Sequence, residues 1–392
     1  MQKSPIMRSM KSPHPRRLTA SDETEGLSGP YDGAEPEDPW FLPEAAEDPE
    51  PAPFAPRRER LIFESEEWRD AEGVLAADLA ALCHDAGRLA ERLEARPGGA
   101  ERLALQEAAS LSWWSGDRIG AERLGLWLAL RLGATGEDAP GVARAAWAAR
   151  RLGAARPRAG DWGTVIGGHL GLSGEDRVGD PSRVGQTGLD HLAAAESRSE
   201  AALDHLADTC EGLESMAGLS PVTLGCLGFH LWRMPDPAPP DALPADPRVR
   251  EVEAAVLGAR LAAGFGAGQG LLFLPLSLTG FSALTASGPA ERRLSAWIAG
   301  AHQATLSALL LLKRLADWQA AAAQATADLS GRTPARLIAC LARWPLVSAP
   351  LAEAETGASR AAVQRNLDVL VARGLAREAT GQGRYRVWAA AV

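Results

Sequence analysis

The chain has 392 residues, a formal net charge of −9, four cysteines and seven histidines. This length suits two or three domains. The cysteines (Cys83, Cys210, Cys226, Cys340) show no Cys-x-x-Cys spacing, and no stretch reaches the roughly 20 apolar residues of a membrane span. A cytoplasmic protein with reduced thiols is expected, with no secretory signal because the basic start lacks an apolar region.

Residues 1–58 read as a disordered tail. The first part is basic, through Lys3, Arg8, Lys11, Arg16 and Arg17, whereas residues 18–56 hold eleven acids and no Lys or Arg, with frequent proline. Such a segment buries too little apolar area to offset its ordering entropy. Asp38-Pro39-Trp40-Phe41-Leu42-Pro43 stands out within it as an apolar cluster.

Residues 59–232 read as a helical domain, because segments 74–94, 100–111, 118–132 and 142–152 carry apolar residues three and four apart. Trp113, Trp114, Trp127 and Trp147 are expected to fill gaps between alanine-rich helices. Segment 161–188 is glycine-rich and aperiodic, which predicts a long loop, and helices resume over 189–216 and 221–232. The proline-rich segment 233–247 reads as a linker. Region 248–330 then holds a helix to about residue 263, a compact apolar segment over 271–284, and a long helix from Ala290 to about Leu329. Along that helix Leu294, Trp297, Ile298, Ala301, Thr305, Ala308, Leu312 and Leu315 trace one stripe. It is expected to connect the body to the last domain and to offer a homodimer contact.

Residues 331–392 read as a winged helix-turn-helix. Thr333-Pro334 opens a helix as cap and first-turn proline, and Trp344-Pro345 stops it. Ser348 caps a short second helix, Gly357 turns the chain, and Ser359 caps a third with Val363, Leu367, Leu370 and Val371 on one face. Gly374 sits where a left-handed residue ends a helix. Two extended runs, 375–380 and 384–388, flank Gly381-Gln382-Gly383 as a β-hairpin wing. Alternation of Arg384 and Arg386 with Tyr385 and Val387 predicts one basic face and one inward face. The predicted fold class is therefore mainly α: a tail, a multi-helix body, and a C-terminal winged helix with a small β-hairpin.

This last segment holds nine arginines against four acids, a net +5 on a chain of −9, so the remainder carries −14. A basic module on an acidic body suits a polyanion. Arg360, Gln364 and Arg365 lie near the start of the third helix and off its apolar face, where recognition helices meet base edges. Arginine reads guanine and glutamine adenine through paired hydrogen bonds. Arg384 and Arg386 are assigned to phosphates.

Other chemistry is thinly represented. Glycines 264–270 follow a helix rather than a strand, so they do not meet the dinucleotide fingerprint, and there is no Walker A sequence. Cys226 and His230 share helical spacing, but two ligands make no metal site. His191 and His205 flank acids on a surface helix. No cofactor, metal or catalytic residue is expected.

The run SGRTPARLIACLARWPLVSAPLAEAETGASRAAVQRNLDVLVARGLAREATGQGRYRVWAA resembles the end of a family of uncharacterised bacterial helix-turn-helix proteins. These close their winged helix with G-R-Y-R-x-W, here Gly383, Arg384, Tyr385, Arg386 and Trp388. The preceding LPLSLTGFSALTASGPAERRLSAWIAGAHQATLSALL is more weakly similar to the closing helices of Fic-domain proteins. The Fic motif H-P-F-x-[DE]-G-N-G-R is absent, and Ser115-Gly116-Asp117-Arg118-Ile119-Gly120 echoes only its tail, so no Fic catalytic residue is carried over. The resemblance and the charge together imply a dimeric, double-stranded-DNA-binding transcriptional regulator with an unknown effector. The alternatives are a degenerate Fic-like nucleotide-transfer enzyme and a winged-helix protein-interaction scaffold.

Overall fold

The computed structural model describes residues 64–130, 138–157, 160–171, 200–234, 246–264, 271–380 and 386–392. The tail, most of the proline-rich linker, the glycine-rich residues 265–270, Arg384 and the wing tip lie outside these residues. The described fold is mainly helical, with one small three-stranded antiparallel sheet at the C-terminal end.

Among the described residues, eleven helices build the body: α1 (Ser65–Val74), α2 (Ala76–Glu94), α3 (Gly99–Trp114), α4 (Ala121–Leu130), α5 (Ala139–Leu152), α6 (Trp162–Leu170), α7 (Glu200–Ser215), α8 (Pro221–Trp232), α9 (Pro247–Ala262), the single turn α10 (Ser282–Thr285) and the long α11 (Ala290–Ala325). Residues 54–392 form one compact unit. The pairs α8 with α9, α2 with α11, and α3 with α5 are its most extensive packings.

The α8–α9 crossing is set by glycine. A Cβ on Gly225 would fall 2.5 Å from the Gly258 carbonyl oxygen, and one on Gly258 would fall 2.8 Å from the Trp297 ring. Without side chains at these points the backbones approach closely enough to bury nearly every residue of α8. Along the α2–α11 pair, His302 Nε2 meets Asp85 Oδ2 at 2.9 Å, Arg92 donates to the Leu309 carbonyl and Arg96 to that of Leu312. The ascending order on both sides means the two helices run in the same direction. The expected stripe of α11, from Leu294 to Leu315, is buried throughout. By length and composition this helix could cross a membrane, but half of its most apolar window is covered by the rest of the fold.

Several local expectations change. Segment 161–188 is not one loop: Asp161 accepts the Thr164 amide at 2.7 Å and starts α6, which Gly171 ends at φ +71°. A side-chain cap and a left-handed stop outweigh the glycine content between them. Segment 74–94 breaks at Leu75 into two helices. Trp114, Trp127 and Trp147 pack on the core as expected, whereas Trp113 is 55% exposed, because the apolar face of α3 points the other way.

A buried irregular stretch, 271–278, crosses the body and needs partners for its backbone. Glu107 supplies them. Its Oε1 accepts the amides of Leu276 and Ser277 and the Ser277 hydroxyl, each at 2.9 Å. The side chain is fully buried, and burial pushes its pKa up to about 7 despite those three donors. Arg156 holds the carbonyls of Ala263 and Leu271 at the other end of the segment.

The C-terminal domain runs α12 (Thr333–Arg343), β1 (Val347–Ser348), α13 (Ala349–Thr356), α14 (Arg360–Ala372), β2 (Ala376–Glu378) and β3 (Val387–Ala390), in the sheet order β1-β3-β2. This is the winged-helix layout. The expected caps form at Ser348, which accepts the Leu351 amide, and at Ser359, which accepts that of Ala362. Gly357 and Gly374 take φ of +65° and +68°. Thr333 does not cap: it is the first helical residue, with no side-chain cap bond at that end. Strand β1 was not foreseen, since two residues carry no periodicity.

Candidate nucleic-acid interface

The winged helix has its own core of Leu337, Ile338, Leu341, Val347, Leu351, Val363, Leu367, Leu370 and Trp388. Helix α11 reaches into that core with Trp318 and Ala322, and Trp318 Nε1 donates to the Leu375 carbonyl at 2.8 Å. The far face of the sheet is covered as well. Leu346, Val387 and Ala389 pack with Leu126 of α4, and Pro345 sits against Gly125. Ion pairs of Arg343 with Glu101 and of Arg377 with Glu122 edge this junction. Strand β3 is thus buried on both faces, and the expected one-sided alternation fails because α4 covers what would have been the outer side.

The same junction leaves the outer face of α14 uncovered. Arg360 projects from its first turn with 77% of its side chain exposed, and its nearest carboxylate is Glu353 at 4.0 Å. Arg365, one turn on, is exposed and makes no ion pair among the described residues. Gln364 lies between them, but its Nε2 donates to Asp368 Oδ1 at 2.9 Å, one turn further along the helix.

Arg386 is not a free cation. It donates from Nε to Glu378 Oε2 at 2.7 Å, lies 3.6 Å from Asp368, and stacks 5.1 Å from the Trp388 ring centroid. The Glu378 bond, followed by both carboxylate charges, holds its guanidinium pKa above the usual value. The residue assigned to phosphate thus ties the wing to α14. Arg384 lies outside the described residues.

The other arginines sort the same way. Arg343 pairs with Glu101 and Glu355, Arg373 forms a two-bond pair with Asp328, and Arg336 donates to the Thr356 carbonyl beside the helix-turn-helix turn. Arg332 and Arg365 pair with no carboxylate among the described residues, and Arg360 has only the long Glu353 approach. The net positive charge seen in the sequence is therefore spent unevenly, and its unpaired share lies partly on α14.

Outside this domain, several titratable groups are held by structural contacts. Asp117 of the Ser115–Arg118 loop takes a two-bond pair from Arg144 at 2.7 and 2.9 Å and a third contact from Arg248. Buried Arg260 donates to His169 Nδ1 at 2.9 Å and to carbonyls ending α5. Burial lowers the pKa of His169 and of His230 to about 3, so both rings are neutral, and it raises that of the Cys226 thiol. No group of three or more potential metal ligands occurs among the described residues. His191 and the side chain of His205 lie outside them.

No model of a known protein family matches the chain, and comparison with curated proteins gives no match either.

Proposed function

We propose that the protein is a DNA-binding regulator that reads the major groove with α14. The supporting observation is the solvent-facing first half of that helix, where Arg360 and Arg365 stand clear of the body while most other arginines of the domain are paired. A helix of this width fits the major groove, and its N-terminal side chains reach base edges. Arg384 adds a backbone contact from the wing, and the body carries the dimer contact and any effector response. A cytoplasmic, homodimeric protein acting without a cofactor fits this reading.

Fluorescence anisotropy with a pool of random duplexes, followed by selection of the tightest binders, tests it. Binding should be salt-dependent and should yield a consensus. Absence of binding to any duplex at low salt overturns the assignment.

A second reading, a protein-binding winged helix, draws on Asp368 and Glu378, whose carboxylates stand beside the same face. A stable co-purifying partner together with no DNA binding would favour it. For nucleotide transfer nothing comparable emerges, because the one loop that echoes the Fic motif is closed by the Asp117–Arg144 pair.

A further inference from the structure

Gln364, Asp368, Arg386 and Glu378 form a continuous polar chain from the recognition helix to the base of the wing. Gln364 Nε2 donates to Asp368 Oδ1 at 2.9 Å, Arg386 Nη1 approaches that same oxygen at 3.6 Å, and Arg386 Nε donates to Glu378 Oε2 at 2.7 Å. Glu378 Oε1 in turn accepts the Thr380 hydroxyl at 3.1 Å. A carboxylate only accepts hydrogen bonds, so the amide of Gln364 must turn its nitrogen toward Asp368 and its carbonyl away.

That orientation has a consequence for base reading. Paired recognition of adenine by glutamine needs the amide nitrogen to donate to N7 while the oxygen accepts from N6. Here one of the two N–H groups is engaged along the helix, which leaves the carbonyl and the second N–H to face outward together. In the major groove adenine alone offers that pair both an amino group at N6 and an acceptor at N7.

We propose that Asp368 is a specificity-determining positioning residue, fixing Gln364 with its carbonyl and second N–H outward so that it selects adenine at one position of the site. It also restrains Arg386, so the wing-base cation is shared with the protein before any phosphate competes for it. This rests on the DNA-binding reading above.

The test is selection of bound duplexes, then measured affinities, for the full chain and for Asp368→Ala and Gln364→Ala. The wild-type protein should prefer adenine over the other bases at one position by about fivefold to tenfold, the scale of one neutral hydrogen bond. Both variants should flatten that preference to less than about twofold. Asp368→Ala alone should also bind all sequences more tightly, because it removes a negative charge beside the phosphates while Arg386 stays paired with Glu378. Asp368 is more than half exposed on its side chain, and circular dichroism melting checks that the fold is kept. An unchanged preference in Asp368→Ala, with binding retained, overturns the role of Asp368 and leaves DNA binding standing. A wild-type preference for any base other than adenine at the Gln364-dependent position does the same. Failure of the wild-type protein to bind any duplex overturns both.

Discussion

Arg386 and Arg365 lie in one small domain, yet their substitutions should have opposite signatures. Arg365→Ala removes a cation with no described carboxylate partner, so stability should stay within about 0.5 kcal/mol, while any base it reads loses about 1–3 kcal/mol of discrimination. Arg386→Ala removes the tie between Glu378, Asp368 and the Trp388 ring. It should loosen the wing, seen as faster amide exchange in β2 and β3, and weaken all sequences alike. Equal effects of the two substitutions on base preference would contradict the assignment.

Glu107 gives a pH prediction. Its carboxyl has a pKa of about 7 in the folded protein against a usual 4.5, because burial outweighs three donated hydrogen bonds. A raised pKa contributes stability that is full below pH 4.5 and is lost as pH rises through 7. The difference corresponds to something on the order of 3 kcal/mol. The buried neutral His169 and His230 act in the opposite sense, losing stability as pH falls from 6.5 toward 3. The quantity to measure is therefore wild type against Glu107→Gln by urea unfolding at pH 5.5, 7 and 8. The variant should gain relative to wild type as pH rises across this window. A constant difference would show that Glu107 does not titrate there.

At the level of elements, the α8–α9 crossing is the point most sensitive to a single methyl group. Gly225→Ala would place Cβ against the Gly258 carbonyl and the Ala262 backbone, neither of which can move without parting the helices. Overpacking of this kind costs about 1–3 kcal/mol, and a thermal melt should register it. Gly73→Ala, whose Cβ would meet nothing within 4 Å, is the control.

Elements marked by local chemistry were legible in the sequence. The hydroxyl caps at Ser348 and Ser359, the left-handed glycines 357 and 374, and the long stripe of α11 each act within a few residues, so a one-dimensional pattern carries them. What escaped depends on partners far along the chain. Strand β1 exists only because β3 pairs with it, through Val347 opposite Trp388. The burial of β3 on both faces depends on α4, more than two hundred residues earlier. In the candidate site, the exposure of Arg360 and Arg365 followed from helical periodicity. The engagement of Gln364 and Arg386 did not, because it depends on the register of the wing against α14. An i, i+4 glance from Gln364 to Asp368 was the one available signal.

For the whole molecule, the junction between body and winged helix combines apolar and ionic contacts. Leu126→Asp would bury a carboxylate against Leu346, Val387 and Ala389 and should part the sheet from α4 while leaving the winged-helix core intact. Limited proteolysis should then release a C-terminal fragment that the wild-type protein does not yield. The exposed side of α11 carries Leu306 and Leu310, at 38% and 49% exposure, so a homodimer contact on this helix would use them. Leu310→Glu should convert a dimer to a monomer in analytical ultracentrifugation, and an unchanged mass would place the dimer contact elsewhere.

Trp318 anchors the winged helix to the same rod that runs through the body, and α4 backs it from behind. The winged helix is accordingly clamped rather than leashed. In a symmetric pair, the distance between two such domains would be a fixed length of the protein, not an adjustable one. Inserting five base pairs between half-sites, which turns one of them to the far side of the duplex, should abolish two-headed binding, whereas ten should restore little because the span cannot stretch.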